Sequence, residues 1–303
     1  MPTFPNYRRY AWFTLAYCVG VILWGAYVRA TGSGAGCGQH WPMCNGEVIP
    51  RAEHVKTLIE YSHRLSSGLC LLFIFVLFIL TLKLFPRGSF QRKAAGLSFI
   101  AIILEALIGA ALVLLQLVEH DQSIDRAVSI ALHLGNTLFL LAVLTVTAMA
   151  PKEEKPRWRW PEGGASRNWV RGILFGFAIL GALGALTALG DTLFPVTDLG
   201  AEFRAKLEGR RHFLQQMRLL HPVLAVIWAG ALWVWLADLW ERMPGLKRHA
   251  KLLLWLTAGN LVLGLTNVIM LAPIPIQILH LLWAETLWIL LVSLVFSAAS
   301  RWR

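Results

Sequence analysis

Charge is scarce in this sequence. Asp, Glu, Lys and Arg make up 15% of its 303 residues, against about 25% in an ordinary soluble domain. Cysteine is scarce too, with four residues in all, which excludes a disulfide-stapled scaffold. Low hydrophobicity, the requirement for intrinsic disorder, is absent, since 57% of residues are apolar. Acids are outnumbered by Lys and Arg, 17 to 28, leaving a net charge of +11. In a soluble chain that excess would suggest nucleic acid. Here, with a mean hydropathy of +0.59 and 14 tryptophans, the lipid bilayer is the expected partner and nucleic acid is not, because Lys and Arg collect in cytoplasmic loops of membrane proteins.

A bilayer core about 30 Å thick needs around 20 mostly apolar helical residues, because lipid offers no partner for free backbone amides. Eight stretches qualify, near residues 10–28, 58–82, 94–117, 127–149, 170–190, 217–240, 252–271 and 275–298. The first follows Arg8 and Arg9, as a signal peptide would. It is longer than the usual apolar core of such a peptide and no A-x-A site follows, so it is expected to be a retained span. Too few residues precede it for a transit peptide, and the expected location is a prokaryotic plasma membrane.

Eighteen Lys and Arg fall on the side holding both termini and the turns after spans two, four and six; nine fall on the other. That bias predicts cytoplasmic N- and C-termini, with loops 29–57 and 191–216 facing outward. The chain also repeats itself. His63 and His221 are 158 residues apart, His133 and His280 are 147 apart, and Gly109 and Gly264 are 155 apart. The expected architecture is an all-α integral membrane protein, with eight transmembrane helices arranged as two parallel-repeat four-helix bundles. The halves are 1–150 and 169–303, and the Pro-, Gly- and charge-rich segment 151–168 is a cytoplasmic linker.

Histidine inside a membrane is costly and usually functional. His63, His133, His221 and His280 sit on spans two, four, six and eight, within about two turns of the outer ends. Two imidazoles facing each other across a bundle are what a six-coordinate heme needs, so two pairs imply two heme sites. Zinc fits poorly without nearby cysteines or paired carboxylates. His40, His54, His120, His212 and His249 lie in or beside loops and read as surface residues. The first half alone places an acid beside a histidine, in Glu60-Tyr61-Ser62-His63-Arg64; the sixth span has Arg218-Leu219-Leu220-His221-Pro222. Glu60 and His63 share a helical face. A plain Glu60–Arg64 ion pair would explain the charge balance but not this asymmetry. Glu105 and Glu285 also lie mid-span, open to structural pairing or a proton path.

Cys37 and Cys44 share the first outer loop, GSGAGCGQHWPMCNG, where a disulfide is permitted and the loop length is feasible. Cys18 and Cys70 fall within spans as packing residues. The loop glycines do not form a phosphate loop, since no GK[ST] follows, and a close-packed turn is expected instead. Arg29 and Arg64, at the outer membrane edge, are candidate contacts for heme propionates, with lipid headgroups an equal alternative.

Taken together, GAYVRATGSGAGC, EYSHR, ALHLGN, HPVLAVIW and ILHLLWAE resemble the heme A synthase family, of the CtaA/Cox15 type, over nearly the whole chain. The resemblance implies a membrane-bound oxidoreductase that converts the pyrrole methyl of heme O to the formyl group of heme A for terminal oxidase assembly. It implies substrate ligation by His63 and His133, a resident heme b cofactor on His221 and His280, and a catalytic role for Glu60. Cys37 and Cys44 match the family's outer-loop pair. A second pair found in some members has no counterpart, because residues 191–216 hold no cysteine. Implied partners are heme O, a heme O synthase, cytochrome oxidase assembly factors and an electron acceptor that the sequence does not name. Two other readings stand beside it: a diheme electron-transfer cytochrome, which would hold hemes near both faces, and a heme carrier or exporter, which would need no acid.

Overall fold

The computed structural model describes residues 3–51, 54–151, 164–196, 198, 200 and 212–301. Eight long helices carry these residues: α1 (Phe4–Ala30), α2 (Val55–Leu84), α3 (Phe90–Leu114), α4 (Ile124–Met149), α5 (Gly164–Leu193), α6 (Phe213–Arg242), α7 (Lys247–Ile269) and α8 (Ile274–Arg301). All eight are long and apolar enough to cross a membrane, and each coincides with one expected span to within a few residues. The chain is therefore an all-helical multi-pass membrane protein. At 23 to 30 residues, these helices run roughly 35–45 Å and outreach the hydrocarbon core.

Helix starts follow local chemistry. Ser89 accepts from the Arg92 N–H at the head of α3, and Ser123 accepts from the Arg126 N–H at the head of α4. His212 and Gln215 form a reciprocal cap on α6. Gly88, at φ +75°, supplies the left-handed residue that the tight α2–α3 turn requires. Of the expected linker 151–168, residues 152–163 lie outside the described residues; 164–168 form the first turns of α5. In the outer loop 191–216, Arg204, Lys206, Arg210 and Arg211 also lie outside them.

Packing divides the helices into two rings. In the first half α1–α2, α2–α3, α3–α4 and α4–α1 are neighbours; in the second α5–α6, α6–α7, α7–α8 and α8–α5 are. The rings meet where α1 and α4 face α5 and α8. Apolar side chains such as Phe175, Ile227 and Trp255 remain exposed on the outside, as expected where lipid is the solvent.

The seam is tightly keyed. Trp288 of α8 donates its indole N–H to the Leu138 carbonyl of α4 at 2.8 Å, and its ring stacks on Phe177 at 5.0 Å. Phe177 meets Trp228 edge-on at 5.1 Å, and Trp228 donates to the Ile173 carbonyl at 2.9 Å. At the outer end, the Arg29 guanidinium of α1 donates to Ala188 O at 2.5 Å and Thr192 Oγ1 at 2.6 Å, both on α5. It also reaches Gln277 Oε1 on α8 at 3.2 Å. One cation thus joins three helices across the seam.

Candidate functional site

Three of the four histidine-bearing helices lie beside another that carries a glycine against the ring. A Cβ built on Gly25 of α1 would lie 2.9 Å from His63 Cε1, one on Gly184 of α5 would lie 3.0 Å from His221 Cε1, and one on Gly264 of α7 would lie 3.3 Å from His280 Cε1. Bare backbone at these points lets the imidazole lie against the neighbouring helix. Gly109 of α3 breaks the pattern, with nothing within 4 Å of its added Cβ. There, His133 Nδ1 instead lies 3.2 Å from Glu105 Oε1.

The Nδ1 atoms of His63, His133, His221 and His280 are all buried without a hydrogen bond. Four orphaned polar atoms of one kind call for an explanation. Four imidazoles not committed to a protein partner at Nδ1 suit a role as metal ligands. The His221 and His280 rings stand 6.5 Å apart between centroids, with their planes at 87°. A metal–nitrogen bond of about 2 Å on each side, plus the rings' own size, gives a separation of roughly 6 Å. The separation of the C-terminal pair is therefore compatible with the two imidazoles holding one metal ion between them. Among the described residues, no group of three or more His, Cys, Asp or Glu gathers as a multidentate metal centre would need.

Glu60 is buried at 3% exposure and both its oxygens are engaged. Oε2 accepts the Cys37 backbone N–H at 2.7 Å; Oε1 pairs with Arg64 Nη2 at 2.5 Å. Arg64 also donates to the carbonyls of His40 at 2.5 Å and Met43 at 2.6 Å. Thr57 donates to Gly36 O at 2.8 Å, and Tyr61 to Val48 O at 3.0 Å. The first turns of α2 thus hold the outer loop down through residues 57, 60, 61 and 64. Cys37 and Cys44 form a disulfide within this loop, while Cys18 and Cys70 are free and buried. A Cβ on Gly36 would come within 2.5 Å of Lys56 O, so this glycine permits close seating of the loop on α2.

The structure brings Glu60, Arg64 and the disulfide loop together in one network, one turn from His63. The donors of Arg29 and Arg64 are largely spent on protein acceptors. Sequence reasoning missed the cradle glycines Gly25 and Gly184, whose spacing of 159 residues shadows that of His63 and His221. It also missed the partners of Glu105. Asn136 and Thr137 of α4 both donate to that carboxylate, and Asn136 bonds Ala101 O at 2.9 Å. Glu285 of α8, by contrast, is buried with neither oxygen hydrogen-bonded.

Comparison with known proteins adds a family. The COX15-CtaA family, described as cytochrome oxidase assembly protein, matches residues 8–292. A protein named protoheme IX farnesyltransferase from Thermus thermophilus is 44% identical over 306 aligned positions, covering 99% of this chain and 50% of that protein. The chain thus spans about half the length of this curated relative. Heme A synthases from Bacillus mycoides and Bacillus cereus are 45% identical over 93 residues, which is 31% of this chain and 30% of each relative.

Proposed function

Because the chain belongs to the COX15-CtaA family of cytochrome oxidase assembly proteins, we propose that it is a heme A synthase, oxidising the pyrrole methyl of heme O to a formyl group. The carrying observation is the pair of unlike histidine sites. His221 and His280 face each other at 6.5 Å without an acid in the matching helical turn, and hold a resident heme b. His63 and His133 hold heme O as substrate, with Glu60 one turn from one ligand and Glu105 against the other. The ring-wise helix contacts support a parallel duplication that became specialised. Bound iron porphyrin supplies the one-electron chemistry, and the chain's residues do the rest. The four imidazoles would hold the two porphyrins through their iron. Turning a methyl into a formyl group with water as the oxygen source releases four electrons, which pass to an electron acceptor, and four protons, one of which Glu60 would accept as it leaves the methyl carbon. The termini lie in the cytoplasm of a prokaryotic plasma membrane, so the loop faces outward.

The farnesyltransferase name of the Thermus relatives favours a second reading, prenyl transfer to heme. That chemistry handles a diphosphate, usually through carboxylates and a divalent cation. The described residues gather no such carboxylate cluster, and the matched region is only half of that relative. Expression with heme O and extraction of the pigments tests the proposal. Heme A supports it. Unchanged heme O leaves the electron-transfer or carrier readings, and conversion of heme b to heme O supports prenyl transfer.

A further inference from the structure

Glu105 and its surroundings set the two heme sites apart more sharply than Glu60 does. Glu105 precedes Gly109 by one turn on α3, and Asn260 precedes Gly264 by one turn on α7. The two positions match in the halves, but one carries a carboxylate and the other a neutral amide. At the second site the His280 ring lies against Gly264 and faces the backbone carbonyl of Asn260 without hydrogen-bond geometry. His221 faces the Leu180 carbonyl of α5 in the same way. Among the described residues only His133 has a carboxylate beside its Nδ1, at 3.2 Å; like the other three Nδ1 atoms it makes no hydrogen bond as placed, so a small turn of the ring or carboxylate closes the bond.

The carboxylate is fixed in place. Asn136 and Thr137 donate to its two oxygens, and both are on α4, three and four residues beyond His133. Thr137 also bonds the His133 carbonyl at 2.9 Å. The helix that carries the ligand therefore also carries the clamps that hold the acid beside it. An ion pair that merely stapled α3 to α4 would not need the histidine.

We propose that Glu105 is a positioning residue that accepts the Nδ1 proton of His133, making the axial imidazole of the substrate-binding half a stronger donor than any ligand in the other half. This rests on the heme reading given above. A carboxylate behind a metal-bound imidazole fixes its tautomer and raises its basicity, which favours oxidised over reduced iron. The substrate-side iron then has the lower reduction potential, and electrons taken from heme O run downhill to the heme on His221 and His280.

The test is a spectroelectrochemical titration of the purified full-length chain loaded with heme. Glu105→Gln should shift the oxidised-to-reduced ratio of the substrate-side heme about tenfold toward reduced at fixed potential, an upward move of about 59 mV for one electron. The heme on His221 and His280 should not move. Thr145→Val, which removes only a bond to the Leu141 carbonyl about two turns further along α4, should leave both potentials unchanged. The reciprocal change Asn260→Asp should lower the second site's potential, and it serves if Glu105→Gln does not fold. Equal potentials in the wild type and Glu105→Gln, with both hemes bound, overturn the inference. So does an equal shift from Thr145→Val. If His133→Leu leaves heme content and both potentials unchanged, the heme assignment itself is wrong, which is a distinguishable failure.

Discussion

Replacing Glu60 by Gln separates chemistry from loop anchoring, because the two costs differ in size. The carboxylate accepts a charge-assisted bond from the Cys37 N–H at 2.7 Å and pairs with Arg64 at 2.5 Å, with side-chain exposures of 4% and 12%. Breaking a buried ion pair costs about 3–5 kcal/mol when one charge is stranded. Here Arg64 keeps two carbonyl acceptors, and Gln keeps one oxygen for the Cys37 N–H. The expected loss is therefore about 2 kcal/mol, small enough for a fold of ordinary stability to survive. Loss of a proton acceptor costs about 10²–10⁴ in rate. Thr57→Val is the matched control: it removes the bond to Gly36 O for about 1 kcal/mol and leaves the acid alone. Pigment extraction from membranes measures heme A, and limited proteolysis measures seating of the outer loop. Glu60→Gln should abolish most heme A formation while retaining heme b, and Thr57→Val should loosen the loop and retain most activity. If Glu60→Gln makes heme A at the normal rate, or if both variants fall in proportion to loop cleavage, Glu60 is an anchor and not a proton acceptor.

Other expectations follow from the same geometry. Gly184→Ala places a methyl 3.0 Å from His221 and should cost about 1–3 kcal/mol in packing, read as reduced heme b content. Gly230→Ala, with nothing within 4 Å of the new carbon, should leave heme b content unchanged. Arg29→Ala removes a cation bonded to α5 and α8 and should lower stability by about 2–4 kcal/mol, measured as Tm in detergent; an unchanged Tm refutes the latch. Glu285→Gln should cost no stability, because neither carboxylate oxygen has a partner to lose; a clear drop in Tm would reveal one.

Much of the fold was legible because a bilayer imposes a simple rule. A run of apolar residues long enough to span it must be a helix, so all eight spans could be read directly. Helix α2 begins ahead of its expected span because polar residues such as Lys56 and Thr57 continue the helix while Thr57 binds the loop carbonyl of Gly36. The Cys37–Cys44 disulfide was legible from its loop. Sequence could not show that the Glu60 carboxylate caps the Cys37 N–H, since that contact depends on a loop fold 23 residues away. The Arg29 guanidinium donates into the seam, where α5 and α8 supply acceptors that no local pattern reveals. Gly109 was matched to Gly264 by spacing, yet only Gly264 touches a histidine. In the first half Glu105, rather than bare backbone at Gly109, lies beside His133.

Whether the two halves hold unlike hemes is measured most directly by the heme b content of His221→Leu and His63→Leu purified side by side. Loss of an axial ligand from a buried pocket should empty that pocket. The account predicts that His221→Leu loses the resident heme b and that His63→Leu keeps most of it while failing to turn over heme O. Loss of heme b from His63→Leu with retention in His221→Leu would contradict it.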